Sequence, residues 1–186
     1  KVKAKWQAVS MKQGFKYTKR LARIDAKRNN RVKDYMRKTA RSIIHLCMEQ
    51  KIGILVVGYN KDFKRNINLG KKNNQQFTQI PFGLLREYLY NLCEQYGIEY
   101  VEQEESYTSK ASFFDQDELP TWKPEKEAYA FSGKRICRGL YQTGKGFIVN
   151  ADVNGALNIL RKSNLIDITI LQGKGCLAHP QRVRIV

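Results

Sequence analysis

Four acidic side chains occupy positions where strand and helix ends can bring carboxylates together. Glu102, Glu104 and Glu105 follow a short apolar run, and Asp152 lies in the first turn of a helix that Asn150 can cap. Carboxylate oxygens are ligands that Mg²⁺ prefers. Converging carboxylates can hold two such ions about 3.5–4 Å apart for phosphodiester hydrolysis. The alternatives are a solvated loop for the glutamates and a favourable helix-dipole interaction for Asp152.

Other reactive groups give weaker signals. Neither His45 nor His179 belongs to a recognisable catalytic triad, and the sequence has no glycine-rich phosphate loop. No two cysteines form a CxxC pair, so neither a zinc ribbon nor a redox motif is encoded. Metal binding by carboxylates is therefore the chemistry that remains, beside the structural alternatives given above for the same residues.

The net charge of +17 lies entirely in the first part of the chain. Residues 1–75 contain 21 Lys or Arg and 4 Asp or Glu, whereas residues 76–186 contain 13 of each kind. A field of one sign attracts polyanions, and aromatic residues such as Trp6 and Tyr35 lie among the basic ones, where they can stack on bases. These features favour nucleic acid over the alternative of a solvated basic surface.

The spacing of apolar residues predicts the elements that position these groups. Residues 1–17 look irregular, and residues 106–146 are rich in loops. The regular elements predicted in chain order are a helix over 19–50 (or two helices joined near Asn29), a strand over 54–59, a helix over 81–96, a strand over 98–102 and a helix over 151–162. This order is typical of an α/β fold.

Two motifs in the second half of the chain carry a family resemblance. Glu104 begins the segment EESYTSK, and Asn150 begins the segment NADVNGALNI. These segments resemble the C-terminal half of the TnpB (OrfB) proteins of small insertion sequences, which are relatives of type V CRISPR effectors and Fanzor proteins. The resemblance extends to residues 31–34 and 79–82 and covers nearly the whole chain.

The resemblance implies a RuvC-like nuclease domain of RNase H fold, in which a guide RNA directs cleavage of target DNA beside a short motif. Asp152 matches the last catalytic aspartate of the family. The usual family glutamate falls at Gly58, and the alternative position found in some branches falls at Glu105. We therefore expect Asp152 and Glu105 to be catalytic and to bind Mg²⁺, with Glu104 as the second choice for the glutamate.

The cysteine pairs of the family pattern are also missing. Ala111 and Phe114 occupy the place of the first family cysteine pair, and Cys137 is alone, so we expect no zinc and a degenerate zinc-finger insertion. Five aromatic residues are expected to pack this insertion: Phe113, Phe114, Trp122, Phe131 and Tyr141.

The family's first catalytic aspartate belongs to a GIDxG strand, and the sequence contains no such motif. We expect another chain or segment, such as the other part of a split protein, to supply that aspartate and the first strands of the incomplete sheet.

The expected layout has four parts. These are a RuvC-like part over 1–105, the insertion over 106–148, the last RuvC helix over 149–164 and a C-terminal tail over 165–186. The residues expected to bind nucleic acid are Lys27, Arg31, Lys38, Arg41, Lys61, Lys64, Arg65, Lys71, Lys72 and Lys110.

The expected function is that of the C-terminal part of a TnpB-type, Mg²⁺-dependent, RNA-guided DNA endonuclease of a transposable element. The alternative is a nuclease-dead RNA-guided or plain nucleic-acid-binding protein that acts by occupancy, and a third option is a DNA-only resolvase of RuvC type. The longest apolar run is too short to cross a membrane. We expect a cytoplasmic, nucleoid-associated protein of a prokaryote, with guide RNA and target DNA as partners.

Overall fold

The computed structural model describes residues 2–60, 80–122 and 129–167, together with residues 180, 183 and 185. Within these ranges the chain forms two compact units. The first contains residues 2–51 and 81–92, and the second contains residues 52–60, 93–122 and 129–167. Helices and strands both contribute, so the predicted α/β class is confirmed.

The first unit begins with two helices, α1 (Val2–Lys12) and α2 (Lys19–Glu49). The prediction of irregular structure was wrong for residues 2–12. Their apolar positions form no clear stripe, and α1 is instead held to α2 by polar contacts. Lys3 Nζ lies 2.8 Å from Asp25 Oδ2, and the Arg20 guanidinium lies 3.4 Å from the centre of the Trp6 ring. Contacts of this kind leave no periodic signal in the sequence.

The long helix α2 is continuous, which confirms the single-helix prediction. Thr18 caps its first turn by accepting a hydrogen bond from the backbone N–H of Leu21. Leu21, Ala40, Ile44 and Cys47 form its buried face. A third helix, α3 (Phe82–Tyr96), ends where Gly97 adopts a positive φ of 68°.

The second unit contains two parallel strands, β1 (Ile54–Tyr59) and β2 (Glu99–Glu104). Gly58 pairs with Gln103, and Tyr59 pairs with Glu104. The ladder continues one residue beyond β2, because the Glu105 N–H donates to the Tyr59 carbonyl at 3.2 Å. Both strands therefore end at the same edge of the sheet.

The insertion contains an antiparallel sheet of three short strands, β3 (Lys134–Cys137), β4 (Leu140–Gln142) and β5 (Ile148–Asn150). The prediction of loops over residues 106–146 was wrong for β3 and β4, since strands of three or four residues are too short for alternation to reveal. Tyr141 and Val149 are buried in its core, as expected for Tyr141. The expected packing role of Trp122 was wrong, since this residue is 58% exposed.

The last helix, α4 (Ala151–Ser163), is joined to residues 108–113 by two buried asparagines. Asn154 Nδ2 donates to the Ala111 carbonyl at 2.8 Å, and its Oδ1 accepts from the Phe113 N–H at 3.0 Å. Asn158 Nδ2 donates to the carbonyls of Thr108 and Ala111 at 2.9 and 2.8 Å. These bonds satisfy backbone N–H and C=O groups of residues 108–113, which are themselves in neither a strand nor a helix.

We predict that Asn154→Ala lowers the free energy of unfolding by about 2 kcal/mol, because it leaves the buried Phe113 N–H without an acceptor. Urea denaturation of the parent and the variant measures this loss. Asn30→Ala, on the exposed side of α2, is the matched control and should change stability by less than about 0.5 kcal/mol. Equal effects of the two substitutions would contradict a clamping role for Asn154.

Candidate functional site

The Glu105 side chain occupies the space above the backbone of Gly58. A Cβ placed on Gly58 would lie 2.7 Å from Glu105 Oε2 and 2.7 Å from Ile159 Cδ1. Such separations are shorter than van der Waals contact allows, so a side chain at position 58 would require the ends of the Glu105 and Ile159 side chains to shift. A carboxylate carried by β1 at this position and the carboxylate of Glu105 would thus compete for one region of space.

The neighbouring Glu104 is already neutralised. Lys162 Nζ forms an ion pair with Glu104 Oε2 and donates to the carbonyls of Ser106 and Pro120. The Ser106 N–H also donates to Glu104 Oε1 at 2.7 Å. Burial alone would raise the pKa of Glu104, but the hydrogen bonds from Lys162 and Ser106 lower it below its ordinary value.

Glu105 has the opposite environment. Its side chain is half-buried, and among the described residues its carboxylate has neither a hydrogen-bond donor nor a cation. Burial, followed by the negative charge of Glu104, raises the pKa of Glu105. A partly desolvated carboxylate without a counter-charge is suited to a bound cation. The environment therefore favours Glu105 over Glu104 as a metal ligand.

Asp152 lies in the first turn of α4 and is exposed. Asn150 caps this helix by accepting hydrogen bonds from the N–H groups of Asp152 and Val153 at 2.9 and 3.0 Å. Residues seven positions apart share a helix face, so Asp152 lies on the face of Ile159, about 10 Å nearer the helix N-terminus. Ile159 is the part of this face that lies near Gly58, and Asp152 lies about 10 Å further along it.

The donor set at this face consists of carboxylates, which fits Mg²⁺. Glu102 does not share the environment of Glu105, since it is exposed and accepts a hydrogen bond from the Tyr100 hydroxyl at 3.0 Å. Within the part of the chain that the structure describes, no three His, Cys, Asp or Glu residues form a group that could hold a metal ion. A metal ion bound by Glu105 or Asp152 would need further ligands from outside the described residues.

Comparison with known proteins gives two family matches. Residues 1–64 match the OrfB_IS605 model, described as a probable transposase, and residues 82–159 match the TNB domain of Cas12f1-like proteins. The chain belongs to the TnpB/OrfB family. No curated protein matches it.

The structure of a Cas12f1–sgRNA–target DNA complex contains a chain with a similar fold. The two chains superpose with a TM-score of 0.55 at 18% sequence identity. The match covers 88% of this TnpB-family chain and 40% of the Cas12f1 chain. The likeness therefore concerns the fold, and it extends over less than half of the longer protein.

The basic residues predicted to bind nucleic acid fall into three groups. Lys27, Arg31, Lys38 and Arg41 are exposed on α2, at spacings that place them along one side of the helix. Lys110 is exposed, with Nζ 5.9 Å from the centre of the Tyr107 ring. The remaining five lie outside the described residues: Lys61, Lys64, Arg65, Lys71 and Lys72.

Lys162 is a residue of the site that sequence reasoning did not identify. Its partners Glu104, Ser106 and Pro120 are 58, 56 and 42 positions away. A lysine in the last turn of a helix is already explained by the helix dipole, so no local pattern distinguishes it.

The described part of this TnpB-family chain also contains no helix long and apolar enough to span a bilayer.

We predict that Gly58→Ala destabilises the protein by about 1–3 kcal/mol, because the added methyl group overlaps Glu105 and Ile159. Thermal or urea unfolding measures the effect. Gly83→Ala is the matched control, since a Cβ there meets nothing within 4 Å and α3 should gain up to about 1 kcal/mol. A Gly58→Ala protein as stable as the control would show that the Glu105 and Ile159 side chains are not held in this space.

Proposed function

We propose that this chain forms the C-terminal part of a TnpB-type, RNA-guided DNA endonuclease with a RuvC-like active site of RNase H fold. The observation that carries the proposal is the position of Glu105. Its carboxylate lacks a counter-charge among the described residues and lies over Gly58, close to the α4 face that carries Ile159 and, about 10 Å nearer the helix N-terminus, Asp152. The family membership supports the assignment to a nuclease.

Glu105 and Asp152 would hold Mg²⁺, which would supply water activation and stabilisation of the leaving oxygen in phosphodiester hydrolysis. The backbone of Glu105 is fixed by its hydrogen bond to the Tyr59 carbonyl at the end of the β1–β2 ladder. Asp152 is fixed by the capped first turn of α4. A further aspartate and the remaining strands of the RNase H sheet would come from another segment of the protein or from another chain.

The exposed basic side of α2 would bind the phosphates of a guide RNA and of its duplex with target DNA. Its four basic residues lie at i, i+4, i+11 and i+14, which gives contacts along one strand or groove. Among the described residues, Lys38 forms an ion pair with Asp34, with Nζ 3.5 Å from Oδ2. A DNA-directed activity would associate the protein with the nucleoid of a prokaryotic cell.

A protein that binds nucleic acid without cleaving it is the second candidate. The incomplete ligand group among the described residues favours it. For a nuclease, substitutions of Glu105 and Asp152 should affect DNA cleavage. For a protein that only binds, the parent itself should bind DNA without cleaving it.

We predict that Glu105→Gln and Asp152→Asn each reduce cleavage by about a thousandfold, because each removes a charged metal ligand. The assay uses guide-matched plasmid, the complete protein with its RNA, and Mg²⁺, with DNA binding measured in parallel. Glu99→Gln, an exposed residue of the same strand, is the control and should cleave normally. A parent that binds but never cleaves would support the occupancy function instead.

Moving the carboxylate from position 105 to position 58 tests whether a glutamate at either position can fill the same place in the proposed site. We predict that Glu105→Gly abolishes cleavage and that adding Gly58→Glu raises it at least about tenfold above that variant, because the double substitution clears the space and refills it from β1. Cleavage rates and unfolding curves of both variants provide the measurement. A well-folded double variant that stays as inactive as Glu105→Gly would contradict the shared position.

A further inference from the structure

Two aspartates in the insertion bind donors from three separate segments. Asp117 Oδ2 accepts from the N–H groups of Ser112 and Ser132 at 2.8 and 3.1 Å, and Asp117 Oδ1 accepts from Ser132 Oγ at 2.5 Å. Asp115 Oδ2 accepts from Ser112 Oγ at 2.5 Å and from the Gly144 N–H at 2.6 Å. We call this set of five residues the carboxylate clasp.

The clasp joins the segment after Thr108-Ser109 to both ends of the β3–β4 hairpin. Ser132 lies just before β3, and Gly144 lies just after β4. The apolar core beneath the hairpin is small, with Tyr141, Val149 and Ala151 as its buried members. Small cores of this kind usually need a covalent, metal or other cross-link to fix their loops.

We propose that the carboxylate clasp closes the insertion in place of a metal ion, so that this part of the protein holds its structure without zinc. The clasp surrounds its carboxylates with N–H and O–H donors from the protein. Those donors satisfy oxygens that a metal would otherwise bind. The inference concerns the folding of the insertion, and it stands apart from the proposed nuclease activity.

The negative charges of the clasp change the pKa of a neighbouring side chain. Burial, and then the negative charges of Asp117 and Asp115, raise the pKa of Tyr141 to about 12. The Tyr141 hydroxyl donates to the Lys110 carbonyl at 2.7 Å. Arg161 of α4 donates to the Asp117 carbonyl, which connects the clasp to the helix. Ionised carboxylates make stronger hydrogen bonds than neutral acceptors do, which suits a cross-linking role.

Hydrogen–deuterium exchange of the complete protein tests the proposal, with the amides of Ser112, Ser132 and Gly144 as probes. In the parent protein, a zinc-selective chelator should leave their exchange unchanged, and metal analysis should find well under one zinc per chain. Asp117→Ala should accelerate exchange at Ser112 and Ser132 at least about tenfold. Glu118→Ala, an exposed acidic neighbour, is the matched control and should exchange like the parent.

Ser132→Ala provides a milder variant, because it removes one hydroxyl donor at an exposed position and keeps both aspartates. It should accelerate exchange at Ser132 by a smaller factor, and it decides the question if Asp117→Ala does not fold. Stoichiometric zinc whose removal accelerates exchange of the probes would overturn the proposal. Equal exchange in Asp117→Ala and Glu118→Ala would overturn it as well.

Discussion

The arrangement of the site depends on the close approach between Gly58 and Glu105. The parallel register pairs Gly58 with Gln103, and the Tyr59 carbonyl then receives the N–H of Glu105. This places the Glu105 side chain above a residue that has none of its own. The absence of a glutamate at position 58 and the presence of one at position 105 are therefore two aspects of one packing arrangement.

Electrostatics gives two adjacent glutamates different roles. Successive residues at a strand end point to opposite sides, so Glu104 pairs with Lys162 while the Glu105 side chain lies over Gly58. The lysine neutralises the first carboxylate and leaves the second without a counter-charge among the described residues. Without Lys162, two negative charges would compete for any cation bound at this edge of the sheet.

The sequence allowed prediction of the elements whose apolar residues follow a clear period. The buried face of α2, the runs that form β1 and β2, and the Asn150 cap of α4 are local patterns. In contrast, α1 depends on polar contacts such as Lys3 with Asp25, and β3 to β5 are defined by their pairing. Periodicity does not report either kind of interaction.

Periodicity in the sequence also does not report the long-range contacts that define the candidate site. Sequence spacing and family resemblance selected Glu105 and Asp152, but both glutamates at the end of β2 were open choices. The contacts that separate them come from Lys162, which lies 58 residues away from Glu104. The clasp is also non-local, since Asp117 binds Ser132 and Asp115 binds Gly144, 29 positions away. Partners at such distances are identified only once the chain has folded.

Helix α4 uses opposite sides within the second unit. One side carries Ile159, which lies near Gly58 of β1, and the other side holds residues 108–113. Asp152 and Ile159 share a face, whereas Asn154 lies roughly 200° around the axis from Asp152. The first face belongs to the proposed carboxylate site, and the asparagines hold residues 108–113 by buried hydrogen bonds. Because those residues follow Glu105 directly, the bonds from Asn154 and Asn158 also limit how far Glu105 can move relative to Asp152. The asparagines of the NADVNGALNI segment thus serve the site by fixing the backbone that carries its glutamate.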